Sequence, residues 1–154
     1  MVAESHAGAR CDCARPNTCV DRHRGRYLTA VLLVTLDRDG RVRTGEVSDR
    51  LGVSPASVTE MFERLATDGL VDYEKHRGVE LTRRGTEIAR ELIRRQCVVR
   101  TFFDAELDVS LPVETGYRMG YVLSDVGIER LRERAGPRFD DCEARVHECH
   151  SDRR

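Results

Sequence analysis

The chain has no tryptophan, an aromatic share of only 5% and a single lysine, Lys75, among 26 basic residues. It also has no apolar run near the ~20 residues that a membrane-spanning helix needs. With so few rings, the core must be built from Val, Leu and Ile, which points to a mainly helical protein. The missing apolar run excludes a transmembrane helix, and the polar opening MVAESHAGAR lacks the apolar segment of a signal peptide, so a cytoplasmic protein is expected with no membrane partner. Net charge is also nearly absent: the formal balance of −1 gives no global attraction to nucleic acid, and any such binding must come from local patches. The near-exclusive use of Arg suits bidentate contacts to phosphate or carboxylate, although base composition of the genome explains it equally well. No Cys-x-x-Cys pair, phosphate loop or nucleophile-with-base motif occurs. A thiol-dependent enzyme or a metal-storage protein is therefore the disfavoured alternative, and no catalytic residue is expected.

What is present is a sequence of helical signals. Length 154 suits one compact domain or a small domain with a dimerisation segment. RHRGRYLTAVLLVTLD (residues 22–37) places Tyr27, Val31 and Val34, with Leu28 and Leu32 beside them, on one helical face. After the Asp39-Gly40 turn, Thr44 is expected to cap a short helix that carries Val47 and Leu51 and stops at Gly52. Ser54-Pro55 then supplies an N-cap followed by proline at the first helical position, where its missing N–H costs nothing. That third helix turns Val58, Met61, Phe62 and Leu65 inward, leaves Ala56, Ser57, Thr59, Glu60 and Arg64 outside, and closes at Gly69. LVDYEKHRGVELT reads as two short strands around a His76-Arg77-Gly78 turn. A long helix is expected from about Arg83 to Phe103, another from near Pro112 to about Leu123, and a last one capped by Ser124.

Two helices joined by a Gly-containing turn, the second opening with small polar residues, have the shape that puts a helix N-terminus into the major groove. Ser57 and Thr59 can donate to phosphates or base edges, and the helix end offers unpaired N–H groups. Arg43, Arg50, Arg64, Lys75, His76 and Arg77 flank this surface as candidate phosphate contacts, and a solvated helical face is the plain alternative for each one.

The run VSPASVTEMFERLATDGLVDYEKHRGVELTRRG resembles the recognition helix and wing of the DtxR/MntR metalloregulators. Ser-Pro precedes the helix, Ser-Val-Thr lies within it, and Asp-Gly-Leu-Val, Tyr-Glu-Lys and Arg-Gly follow in order. The resemblance implies a winged helix-turn-helix homodimer that binds double-stranded DNA, with Ser54, Ala56, Thr59 and Glu60 at or near it. Together with Arg43, Thr44, Ser57, Arg64, Lys75, His76 and Arg77, these are the candidate DNA-binding residues. The implied map is a cysteine-containing arm (1–21), a winged helix-turn-helix domain with a two-stranded wing (22–82), a helical dimerisation region (83–136) and a Cys/His-containing tail (137–154).

The resemblance also implies a divalent-metal sensor, and here the residues depart from it. The positions matching the family's ligands fall on Arg26, Gln96, Arg100, Val113, Tyr117, Gly120 and Tyr121, which are poor donors for iron or manganese. Cysteines are available instead: Cys11, Cys13 and Cys19 in the arm, Cys97 in the long helix, and Cys142 and Cys149 in the tail beside His147 and His150. Thiolates suit an iron–sulfur cluster, favoured slightly, or zinc. A metal-free thiol/disulfide redox switch remains open as an alternative, and Cys97 reads equally as a small buried hydrophobe.

Overall fold

A computed structural model of the chain describes residues 20–139. The chain divides into two compact units between Glu87 and Ile88. The first contains α1 (Arg22–Asp37), α2 (Thr44–Leu51), α3 (Pro55–Thr67), β1 (Val71–Glu74) and β2 (Gly78–Leu81). The long α4 (Arg83–Leu107) begins there and continues into the second unit, which adds α5 (Val113–Val122) and α6 (Asp125–Ala135).

In the first unit each helix ends where local chemistry stops it. Asp21 caps α1 by accepting from the Arg24 amide at 2.8 Å, relieving one of the unpaired donors of the first turn. The apolar face expected of this helix is buried at Tyr27, Leu28, Val31 and Leu32, while Val34 is half-buried near the helix end. Its partners in the core are Val47 from α2 and Val58, Met61, Phe62 and Leu65 from α3. Each fully buried side chain of this kind contributes about 1.5–3 kcal/mol relative to exposure.

Thr44 is not the cap of α2. It is the first helical residue, and Arg43 occupies the cap position without a side-chain bond to the helix. Glu46 does that work from inside the helix: its carboxylate accepts from the Arg43 amide at 2.7 Å and from Arg38 Nε at 2.8 Å. The Arg38 guanidinium fixes this carboxylate, which pairs the cap residue's own amide from the third helical position. At the other end Gly52 is left-handed at φ +65°, and the Val53 amide donates back to the Ser48 carbonyl at 3.2 Å.

The wing strands pair antiparallel with Val71 opposite Leu81 and Glu74 opposite Gly78. A further segment joins them, since Val42 and Val79 exchange both backbone bonds at 2.8 Å. The close approach explains Gly78: a Cβ there would lie 2.4 Å from the Val42 carbonyl oxygen, and its φ is +101°.

In the second unit, α4 runs one turn past the expected Phe103, to Leu107. Nothing in Asp104-Ala105-Glu106 breaks a helix. The stop comes at Asp108, which is left-handed at φ +55°, with the Val109 amide donating to the Phe103 carbonyl at 3.0 Å. Ser124 caps α6 as expected, accepting from the Gly127 amide at 3.1 Å. α4 and α5 meet at glycine: a Cβ on Gly120 would lie 2.9 Å from the Arg95 carbonyl carbon and the Gln96 nitrogen. Arg95, only 1% exposed, crosses this seam and donates to the Gly120 carbonyl at 2.7 Å, to the Leu123 carbonyl, and to Asp125 at 3.0 Å. It thereby satisfies carbonyls at the end of α5 that the helix leaves unpaired.

Candidate nucleic-acid interface

The α2-turn-α3 pair places one continuous polar surface on the first unit. α3 starts firmly because Ser54 accepts from the Ser57 amide at 3.2 Å and Pro55 holds the first helical position. It ends just as firmly: Gly69 is left-handed at φ +74°, and the Leu70 and Gly69 amides return to Leu65 and Ala66 at 2.9 and 3.0 Å. Because Val58, Met61, Phe62 and Leu65 face the core, the opposite face presents Ala56, Ser57, Glu60 and Arg64, all exposed, with Thr59 half-buried at its margin. Ser54 is exposed as well, and its hydroxyl lies 2.9 Å from that of Ser57.

Two of the expected phosphate contacts are held by neighbouring carboxylates. Arg64 donates to Glu60 one turn earlier at 2.6 Å, and Arg77 donates to Glu74 at 2.9 Å across the wing turn. Pairs this exposed hold with only about 0–1 kcal/mol, so either arginine can exchange its carboxylate for a phosphate. Arg43, Lys75 and His76 are exposed, His76 with a left-handed backbone at φ +67°. Thr44 is half-buried at the start of α2.

The sequence did not disclose how the wing is aimed. Arg41 donates to the carbonyls of Asp72 at 2.9 Å and Gly78 at 3.0 Å, and its guanidinium lies 3.5 Å from the Asp72 carboxylate and 3.7 Å from that of Glu80. One side chain therefore ties both wing strands to the segment before α2. Arg38 similarly fixes Glu46, and that bond holds the Glu46 carboxyl below the usual carboxylate range.

A family model for the iron dependent repressor N-terminal DNA-binding domain matches residues 23–79, the span from α1 into β2. Residues 23–79 are thus similar to the DNA-binding domain of the DtxR/MntR regulators. The chain is 29% identical over 108 residues to the HTH-type transcriptional regulator MJ0568 of Methanocaldococcus jannaschii, covering 69% of this chain and 86% of that protein. The HTH-type regulator MntR of Listeria monocytogenes is 36% identical over 67 residues, 44% of this chain and 47% of that protein. Among solved structures, a manganese-dependent transcriptional repressor in complex with manganese aligns with a TM-score of 0.66 at 27% identity, covering 73% of this chain and 52% of that one. The manganese regulator SloR aligns with a TM-score of 0.62 at 26% identity, covering 71% and 52%. The chain thus spans about half the length of these MntR relatives and solved regulators.

The solved regulators it resembles include ones with manganese or zinc bound, and the described residues of this chain do not fit a divalent metal. Among them no group of three His, Cys, Asp or Glu side chains is placed to hold an ion. At the positions matching the family's ligands, Gly120 is pressed against the α4 backbone and Tyr117 is buried. Arg100 donates to the Leu111 carbonyl at 2.9 Å, while its side-chain carbons pack where a Cβ on Gly116 would stand. Gln96 is 2% exposed, and its buried amide nitrogen has no acceptor among the described residues. The Arg100 guanidinium carries the wrong charge beside a cation. Cys97 is 2% exposed inside α4, as fits the reading of it as a small core residue. Cys11, Cys13, Cys19, Cys142 and Cys149 lie outside the described residues. No described helix is long and apolar enough to cross a membrane.

Proposed function

We propose that the chain is a cytoplasmic, homodimeric DNA-binding transcriptional regulator whose input has moved from the family's divalent-metal site to its cysteines. The observation that carries the DNA-binding half is the outer face of α3, which keeps Ser54, Ala56, Ser57, Thr59 and Arg64 outward beside a wing carrying Lys75, His76 and Arg77. Supporting a second copy as partner, Val122 and Val126 stand 67% and 69% exposed around the α5–α6 corner, an apolar surface that a partner would cover. A dimer matters because two recognition helices must meet half-sites separated by whole helical turns.

What supports the cysteine-borne input is the misfit of the old site together with six cysteines in 154 residues. An iron–sulfur cluster ligated from Cys11, Cys13, Cys19, Cys97, Cys142 and Cys149 is the preferred cofactor, with zinc as the alternative. Gain, loss or oxidation of that group would shift the DNA-competent population. A metal-free thiol/disulfide switch is the competing mechanism.

Purification without oxygen separates these readings. A visible absorbance band with iron and acid-labile sulfide supports the cluster, colourless zinc-containing protein selects zinc, and metal-free protein that forms disulfides under oxidant selects the switch. The DNA-binding half has its own test. If replacing Thr59 and Arg64 by Ala left sequence-specific binding untouched, the assignment of α3 as the reading helix would be wrong.

A further inference from the structure

Glu60 has no place among the phosphate contacts, yet it stands on the same outer face of α3. We propose that Glu60 is a base-reading residue that selects cytosine at one position of each half-site, an inference that rests on α3 being the helix that enters DNA. The geometry is restrictive. With Val58, Met61, Phe62 and Leu65 buried, the 100° step per residue puts Glu60 opposite the core, beside Ala56 and one turn in from the capped end. A helix that enters the major groove end-first brings that part nearest the base edges.

A carboxylate there cannot sit against a phosphate, since two anions at contact repel. It can only accept, and with Arg64 already donating to one of its oxygens, the donor that the groove can add is a base amino group. In the major groove, cytosine offers the N4 amino donor with no acceptor beside it on the same base. Adenine offers N6, but its N7 acceptor is adjacent and faces the carboxylate with a second lone pair. Guanine and thymine present only acceptors and a methyl group. Cytosine is the one base whose edge suits Glu60.

Arg64 completes the device. In the protein alone it holds the Glu60 carboxylate at 2.6 Å, so the negative charge reaches the groove partly compensated. On docking, the guanidinium is free to trade the carboxylate for a phosphate or to remain beside it, and in both cases the carboxylate keeps a lone pair for the base.

The test is selection of bound duplexes from a randomised pool by the full-length chain and its E60Q, E63Q and R64A variants. Glu63 is the control: it is exposed on the same helix and its replacement changes net charge identically, but it lies nearly a turn further along. Wild type is expected to enrich cytosine at one position per half-site, by roughly tenfold over other bases. E60Q is expected to move that position to adenine, whose N6 and N7 match a carboxamide. E63Q should retain cytosine, and R64A should bind all sequences more weakly with the cytosine preference intact. Identical selected sites for wild type and E60Q would overturn the proposal, as would loss of cytosine in E63Q. A wild-type chain that enriches no duplex would instead overturn the DNA-reading assignment on which the proposal stands.

Discussion

The two units bury different things. In the first, the buried polar side chains are Thr29 and Ser48, each satisfied by a carbonyl a few residues away: Thr29 donates to Arg26 at 2.9 Å and Ser48 to Val53 at 2.6 Å. In the second they are Arg95 and Gln96, and the Arg95 guanidinium reaches carbonyls 25 and 28 residues away. The first unit is therefore an apolar core whose buried polar side chains are repaired locally. The second unit is pinned by a long-range charged side chain. Oil and short caps tolerate conservative change, whereas a buried guanidinium does not, because removing either side strands the other.

Replacing Arg95 is the harshest test of that contrast. Arg95→Met keeps much of the side-chain volume but abandons the Gly120 and Leu123 carbonyls and Asp125, and should cost about 3–5 kcal/mol. Hydrogen exchange should then show protection lost through residues 113–135 and retained through 44–81. Equal loss in both spans would erase the distinction.

Gly78→Ala attacks the first unit at its least forgiving point. The added Cβ meets the Val42 carbonyl oxygen at 2.4 Å with φ at +101°, so overpacking and backbone strain together should cost about 2–4 kcal/mol. A urea melt followed by a probe in the wing reads this directly. If Gly78→Ala is neutral, the bridge between Val42 and Val79 is not what fixes the wing.

Arg41→Ala should be milder for stability, about 1–2 kcal/mol, because the Asp72 carbonyl is exposed and only that of Gly78 is part-buried. Its larger effect should be on DNA: with the wing released, the slope of log affinity against log salt should shrink by roughly 1 for each phosphate that the wing no longer neutralises. An unchanged slope would mean that the wing neutralises no phosphate in the first place.

The smallest effect concerns pH. The Arg38 bond lowers the Glu46 pKa in the folded chain, so the stability it adds is fully present above the ordinary carboxylate range and is lost as pH falls through the lowered value. Glu46→Gln should therefore melt at a lower temperature than wild type near neutrality, and the two melting temperatures should converge in acid. Glu91 in the second unit carries the opposite sign. Burial raises its pKa, against the pull of Arg94 and Arg95, so Glu91→Gln should lose little or gain slightly near neutral pH.

Much of the first unit was legible because its signals are local. Ser54-Pro55, Gly52, Gly69 and the spacing of Val58, Met61, Phe62 and Leu65 each act within a turn or two, and each stands where periodicity and capping place it. Ser124 and Pro112 did the same for the second unit. The Glu60–Arg64 pair also sits at readable i, i+4 spacing. What escaped were partners distant in sequence. Arg41 bonds a carbonyl 37 residues away and Arg95 one 28 residues away, and neither leaves a local mark in an arginine-rich chain. The capping role of Glu46 escaped because it depends on Arg38 arriving from the preceding turn.

Arg95 also bears on supply. A metal ion that pins one helix to another can be withdrawn by a chelator, displaced by a competitor or simply be scarce. A guanidinium is attached to the chain and cannot be withdrawn or displaced in this way. The corner where α5 meets α6 is therefore assembled from parts made with the polypeptide, and its holding force does not follow the cell's metal inventory.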